Sequence, residues 1–394
     1  MSSQQFLMPP ALRGKSSIYK AMSQLASAHG AVDLAQGFSL LSVPGTSAIL
    51  DHAALALREG SQNYTNPNGT ASLRQALVDN SKRRFGVDLD PEEQVTVCAG
   101  AQDALGAAML GLLEAGDEVV FIEPFYNPVI PMAKLTGATL RFVSLLQDDG
   151  SYRLDEESLL AEMSEKTKLI VYNSPNSPSG HVFTRTELES IARACKQYDA
   201  YLIADEVYEH LVYDDNKHVS ALEIPELSER AVVISSISKS YLLTGWRVGW
   251  AQGARPLIAG IAKVHSLMSF CLPAFVSEGA RFALEETPDS FLGDLRTIHQ
   301  GKRDRICDGL SDIGIQVIRP RGTFFASIDI GDLGQGDDLA FCLSMPEKIG
   351  VAGVPMSLSW NQRRAGRNLV RLCFSRSDED LDRAVSAFAT WKRS

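Results

Sequence analysis

Lys239 stands in Ser236-Ile237-Ser238-Lys239-Ser240, at the end of an apolar segment at 231–235 (AVVIS), and Arg247 follows eight residues later. An amine placed so, with cations nearby, has its pKa lowered and becomes a nucleophile and proton carrier at neutral pH. Asp205 ends a second apolar segment, 200–204 (AYLIA), and opens Asp205-Glu206-Val207-Tyr208. A carboxylate desolvated there needs a cationic partner to stay charged, and a pyridinium N–H is such a partner. Gly100-Ala101-Gln102 follows 95–98 (VTVC) and opens a helical pattern, while Ser236 and Arg247 offer a hydroxyl and a guanidinium. Small residues at a helix N-terminus, joined by those two groups, suit a phosphate dianion. Amine, carboxylate and phosphate cradle together describe a site for pyridoxal 5'-phosphate.

A scaffold must bring these stretches together with a fourth, Asn173-Ser174-Pro175-Asn176-Ser177-Pro178-Ser179-Gly180, which follows 168–172 (KLIVY). Val- and Ile-rich runs at 95–98, 118–122, 168–172, 200–204 and 231–235 alternate with helical patterns such as 103–113 and 185–197. Continuous apolar strands separated by helices predict an α/β fold, a mostly parallel sheet covered by helices on both faces. Such sheets bind ligands outside the carboxyl ends of their strands, where all four polar stretches fall. The C-terminal third differs, with a long helical stretch at 290–310, strand-like runs near 324–330 and 369–374, and a closing helix at 379–391. Arg319-Pro320-Arg321-Gly322 marks a turn between them. The expected organisation is an N-terminal arm (1–44) joining a small α+β domain (286–394), and a large cofactor-binding domain (45–285).

Composition narrows the function classes. The chain has 394 residues, 45% hydrophobic and 22% charged, the balance of a globular enzyme of more than one structural unit. A net charge of −10 argues against nucleic acid or an anionic membrane as partner. The six cysteines are scattered without CxxC pairs and the seven histidines show no ligand spacing, so no metal site is expected. His210, His218 and His265 read as core or surface residues. No apolar run reaches membrane-spanning length and the first residues do not read as a signal peptide, so the expected location is the cytoplasm.

Taken together, the blocks resemble the class I aminotransferases, fold-type I pyridoxal-phosphate enzymes with the aspartate-aminotransferase fold. The branch of kynurenine and methionine aminotransferases is the most similar. The resemblance runs from Leu34-Ala35-Gln36-Gly37 to Arg371-Leu372-Cys373-Phe374, and its most specific part is Ser236-x-Ser238-Lys239-x4-Thr244-Gly245-Trp246-Arg247-x-Gly249-Trp250. It implies an amino group moved between an L-amino acid and a 2-oxo acid through an aldimine on Lys239, which also shuttles the proton. It implies that Asp205 pairs with the pyridine N–H and that Tyr208 hydrogen-bonds the phenolate oxygen. Gly100, Ala101, Gln102, Ser236 and Arg247 would hold the phosphate, Tyr126 would stack on the ring, and Asn173 and Ser177 would flank it. Arg371 would fork onto the substrate carboxylate beside Gly37 and Ser177. Tyr64 would reach the phosphate of a partner subunit, giving a homodimer with shared sites.

The sequence departs from the family pattern at three places. Ser177-Pro178-Ser179-Gly180 stands where Asn-Pro-Thr-Gly is usual, and Gly37-Phe38-Ser39-Leu40 where Gly-Phe-Pro-Asp is frequent. A polar residue common in relatives is missing near Leu272-Pro273-Ala274. These bear on substrate choice, and a β-eliminating lyase or specialised biosynthetic enzyme would keep the same Lys239, Asp205 and Arg371. Ser236-x-x-Lys239 also fits the Ser-x-x-Lys of penicillin-recognising hydrolases, but their Ser-Asp-Asn and Lys-Thr-Gly are absent. A ligand-sensing domain of a transcription regulator would bring a basic DNA-binding domain, against the acidic charge here.

Overall fold

The computed structural model describes residues 18–393 apart from 42, 44, 149, 334 and 363–365. Seven strands build the central sheet, in the order Val95–Cys98, Gly249–Gly253, Ala231–Ser236, Tyr201–Asp205, Thr167–Asn173, Glu118–Glu123, Thr139–Ser144. Neighbours run parallel, except that Gly249–Gly253 is antiparallel to both strands beside it. Val95–Cys98, Glu118–Glu123 and Ala231–Ser236 are buried throughout, which is why they read as unbroken apolar runs. Two strands lie outside the five expected runs, for physical reasons. Thr139–Ser144 is an edge strand with exposed and covered positions interleaved. Gly249–Gly253 is short of apolar side chains and buries Gln252, whose amide donates to Ser81 Oγ at 3.0 Å.

Successive side chains along a strand feed two separate cores, as the pleat requires. Leu169 and Val171 face one, beneath Ala101–Leu112 and Arg255–Met268. Ile170 and Tyr172 face the other, beneath Arg185–Gln197. That last helix starts where its sequence says it should: Thr184 Oγ1 accepts from the Glu187 N–H, and the Glu187 carboxylate returns to the Thr184 N–H.

A second sheet, antiparallel, takes the order Gln316–Ile318, Phe325–Asp329, Leu369–Cys373, Val354–Pro355. Asp289–Asp312 and Asp378–Arg393 pack with it through an apolar cluster that includes Ile306, Leu310, Leu381 and Phe388. Near the N-terminus, Val32–Asp33 pairs in parallel with Val351–Ala352, and the chain then crosses to the open end of the central sheet. Register finishes the arrangement. Asn173 lies opposite Asp205, and Gly249 lies opposite both Ser236 and Cys98, so the four polar stretches converge.

Candidate active site

At those strand ends lies a cavity of about 300 Å³. It is lined by every residue the sequence singled out except Gly100 and Tyr64. Lys239 rides on the single turn Ile237–Ser240, begun by Ser236, whose hydroxyl accepts from the Ser238 N–H at 3.3 Å. Its ammonium donates to the Gly37 carbonyl at 2.8 Å. Burial is the main reason its pKa falls to about 8, with Arg371 and Arg247 adding to the fall and Cys373 and Asp205 opposing it. The sequence expectation credited neighbouring cations with this effect; desolvation comes first.

Asp205 ends its strand fully inside the protein. Burial pushes its carboxyl up to about 7, and among the described residues no Lys, Arg or His pairs with it. The Val207 N–H approaches one oxygen at 3.4 Å. The carboxylate therefore awaits a cation, as a desolvated anion must.

The turn after Val95–Cys98 forms a cup. Gly100 has φ +84°, and a Cβ there would come within 2.4 Å of the Arg247 guanidinium. A Cβ on Gly249 would lie 2.4 Å from the Ala101 nitrogen, so both glycines are needed for this close approach. Arg247, itself at φ +56°, donates to the Thr244 carbonyl at 3.1 Å and to Ala99 O at 3.5 Å. The Gln102 side-chain oxygen is buried without a partner. Behind the cup, the Asp103 carboxylate accepts from the Ala99 N–H (2.8 Å) and from Ser269 Oγ (3.2 Å), and pairs with His265 Nδ1 (2.5 Å). His265 is thus a buried second layer to the turn. Cys98, Asp103 and His265 each bring one ligand-type atom within 4.8 Å of the others, and the Asp103–His265 contact joins two of the three.

Asn173 and Ser177 line the other wall. Asn173 donates to the Asp205 backbone carbonyl at 2.7 Å and accepts from the Ser177 N–H at 2.5 Å, so it ties the Ser177 loop to the Asp205 strand. Tyr208 is buried edge-on against Phe324 and Phe325, with ring centroids 5.3 and 6.0 Å away, and burial raises its hydroxyl well above the usual range. Tyr126 stands at the mouth.

Arg371 projects from the small sheet. One nitrogen donates to the Ala35 carbonyl at 2.8 Å, the guanidinium covers the Phe325 ring at 4.1 Å, and Nε is buried without a partner. No carboxylate pairs with it among the described residues, which leaves donor capacity for one from outside. Sequence reasoning missed Tyr19, Phe38 and Phe325 in the lining, and Arg376 behind the arm. Arg376 donates to the carbonyls of Asp33 (2.8 Å), Phe38 (2.7 Å) and Gln36 (3.0 Å), fixing the chain that crosses the cavity. Its place beside the Arg371 strand was the available signal. Tyr64 lies outside the cavity, 86% exposed, with its ring edge-on to Phe270 at 5.2 Å.

A family model described as aminotransferase class I and II matches residues 24–388. A probable N-succinyldiaminopimelate aminotransferase of Mycobacterium tuberculosis is 38% identical, over 93% of this chain and 94% of its own. A solved structure of the M. tuberculosis N-succinyldiaminopimelate aminotransferase superposes with a TM-score of 0.94 at 37% identity, covering 98% of this chain and 100% of that one. The methionine aminotransferase of Escherichia coli is 31% identical over 92% of this chain and 93% of its own. The human kynurenine–oxoglutarate transaminase 1 is 31% identical over 94% of each.

Proposed function

The chain belongs to the class I and II aminotransferases, and we propose that it moves an amino group between an L-amino acid and a 2-oxo acid with pyridoxal 5'-phosphate held on Lys239. The observation that carries the cofactor assignment is the pairing, in one cavity, of a buried amine pushed towards neutrality and a buried carboxylate without a cation. Further groups around the cavity suit the same ligand. The cup of Gly100, Ala101 and Gln102, with Ser236 and Arg247, suits a phosphate dianion. Asp205 suits a ring N–H, and the spare donors of Arg371 suit a carboxylate.

When bound, pyridoxal phosphate supplies an electrophilic aldehyde and a ring that draws electrons from the substrate's α-carbon. The protein's part follows from its own groups. Lys239, its pKa lowered to about 8 chiefly by burial, takes a proton from the substrate α-carbon and returns it elsewhere. Asp205 would hold a proton on the ring nitrogen, and Tyr208 would donate to the phenolate oxygen. Tyr126, at the mouth of the cavity, would cover one ring face. Asn173 sets Ser177 beside them. Arg371 fixes the substrate carboxylate, and the arm at Gly37–Phe38 keeps water out.

The same proposal includes the division into an arm (1–44), a large unit (45–285) and a small unit (286–394). It includes a cytoplasmic location, with which the lack of any membrane-spanning helix among the described residues agrees. It also includes a homodimer in which Tyr64 reaches the phosphate held by the partner subunit. Exposed Phe270 (47%), edge-on to Tyr64, and exposed Leu267 (75%) and Met268 (52%), three and two positions before it in the chain, support such an interface.

The test is a set of half-reactions of the purified holoenzyme with a panel of amino acids, followed by absorbance. Productive donors should convert the bound cofactor to its amine form without releasing ammonia, whereas ammonia release with an unchanged spectrum would assign a lyase instead. Lys239→Ala should fold and lose turnover entirely. Borohydride trapping of the cofactor on a different lysine would overturn the assignment.

A further inference from the structure

Ser39 and Leu40 stand where the family pattern has proline and aspartate, and the structure gives Ser39 a partner. Its hydroxyl lies 2.6 Å from Ser375 Oγ, which lies 2.8 Å from His299 Nε2. His299 Nδ1 in turn lies 2.8 Å from the Leu295 carbonyl, one helical turn back in Asp289–Asp312. His299 and Ser375 are completely buried.

One proton arrangement satisfies all of these contacts. The Leu295 carbonyl can only accept, so the proton of the neutral imidazole sits on Nδ1 and Nε2 accepts. Ser375 must then donate to Nε2, which leaves its oxygen to accept from Ser39. The Ser39 oxygen finally accepts from the Leu41 N–H at 3.1 Å, and the Leu40 N–H donates to the Ser375 carbonyl at 3.3 Å. A one-way chain thus runs from the arm to the middle of a 24-residue helix.

The arm so held is the one that meets the chemistry. Gly37 accepts from the Lys239 ammonium, and Phe38 lines the cavity. Arg376 grips the same arm on the Gly37 side through the Gln36 and Phe38 carbonyls. Once Lys239 turns to the cofactor it gives up Gly37, and the hydroxyl chain with Arg376 is left to keep the arm closed. We propose that Ser39, Ser375 and His299 form a latch on residues 36–41 and act as positioning residues for the amino donor. This rests on the transfer reading above.

Hydrogen exchange of the 36–41 segment and steady-state kinetics with one donor test it together. Ser39→Ala and Ser375→Ala should each speed exchange about three- to tenfold, the range one hydrogen bond controls. Each should raise the donor KM by a similar factor, leave kcat within about twofold, and leave cofactor retention unchanged. Ser39→Thr keeps the hydroxyl and should restore both readouts. The double variant should match either single one, because both cut the same chain. Wild-type exchange in Ser39→Ala, a loss confined to kcat, or multiplying effects in the double variant would overturn the latch. Faster exchange in a protein that transfers no amino group would refute the functional reading and leave the latch standing.

Discussion

Burial drives Lys239 and Asp205 in opposite senses, the amine down to about 8 and the acid up to about 7, within one cavity. Burial makes the charged form of each costlier than in water, a cost that a ligand able to pair with both would offset. Asp205 is the more exposed to test, because its proposed duty is specific: to keep the ring nitrogen protonated while negative charge develops on the substrate. Asp205→Ala should slow α-proton removal on the order of a hundredfold or more, a loss of the size associated with a positioned acid–base group, whereas Asp205→Glu should keep part of the rate. Single-turnover measurements with an α-deuterated donor decide this, and equal rates in wild type and Asp205→Ala would remove the role. These two residues were legible in the sequence because each ends an apolar run with a charged group. The physical cause for Lys239 was not, since the depth of burial depends on Phe324 and on the arm, both distant along the chain. Asn173 shows a similar limit. Its side chain spends both ends on the Asp205 and Ser177 backbones, a use that no spacing announces.

The strand-end turns carry most of what was readable, and the glycines show why. Gly249 opens an antiparallel strand whose first residue must pass the cup at Gly100–Gln102, with Gly100 C only 2.5 Å from a would-be Cβ. That atom is backbone and cannot swing aside. Gly249→Ala should therefore displace the cup and weaken cofactor retention at least tenfold while the fold survives. Gly301→Ala is the control: it meets nothing within 4 Å inside Asp289–Asp312 and should stabilise the helix by about 1 kcal/mol. Ultrafiltration of bound cofactor and thermal denaturation separate the two, and unchanged retention in Gly249→Ala would show that the cup tolerates a side chain. Motif blocks make such turns visible because the turn and its function share one stretch of chain. Tyr19, Phe38, Phe325 and Arg376 were invisible for the converse reason. The arm with Phe38 is held over the cavity by the pairing of Val32–Asp33 with Val351–Ala352 and by Arg376, which gathers the carbonyls beyond it, contacts spanning over 300 residues with no local periodicity.

At the scale of the whole molecule, the site's unpaired acid becomes a stability term. In the cofactor-free protein the Asp205 carboxyl titrates near 7, against about 3.9 in an unfolded chain. Between those values the native state binds a proton that the unfolded state has lost, so stability is fully present below about pH 4 and is lost as the pH rises through about 7. His299 works the other way: burial lowers it to about 4, so its contribution falls as the pH drops from about 6.5 towards 4. The two slopes oppose each other in wild type, and a single pH–stability curve would hide both. Asp205→Asn separates them, because the amide is nearly isosteric and never ionises. Cofactor-free Asp205→Asn should lie within about 1 kcal/mol of wild type near pH 4.5 and exceed it at pH 8 by up to about 4 kcal/mol, the free energy that separates a carboxyl at about 3.9 from one at about 7. With cofactor bound, a ring N–H beside the wild-type carboxylate removes the penalty, so the advantage of the amide should vanish or reverse. Thermal denaturation of both proteins, with and without cofactor, at the two pH values gives all the differences required. A gap of the same size at both pH values would mean that Asp205 is already neutralised in the empty protein, and the carboxylate would no longer be waiting for a cation.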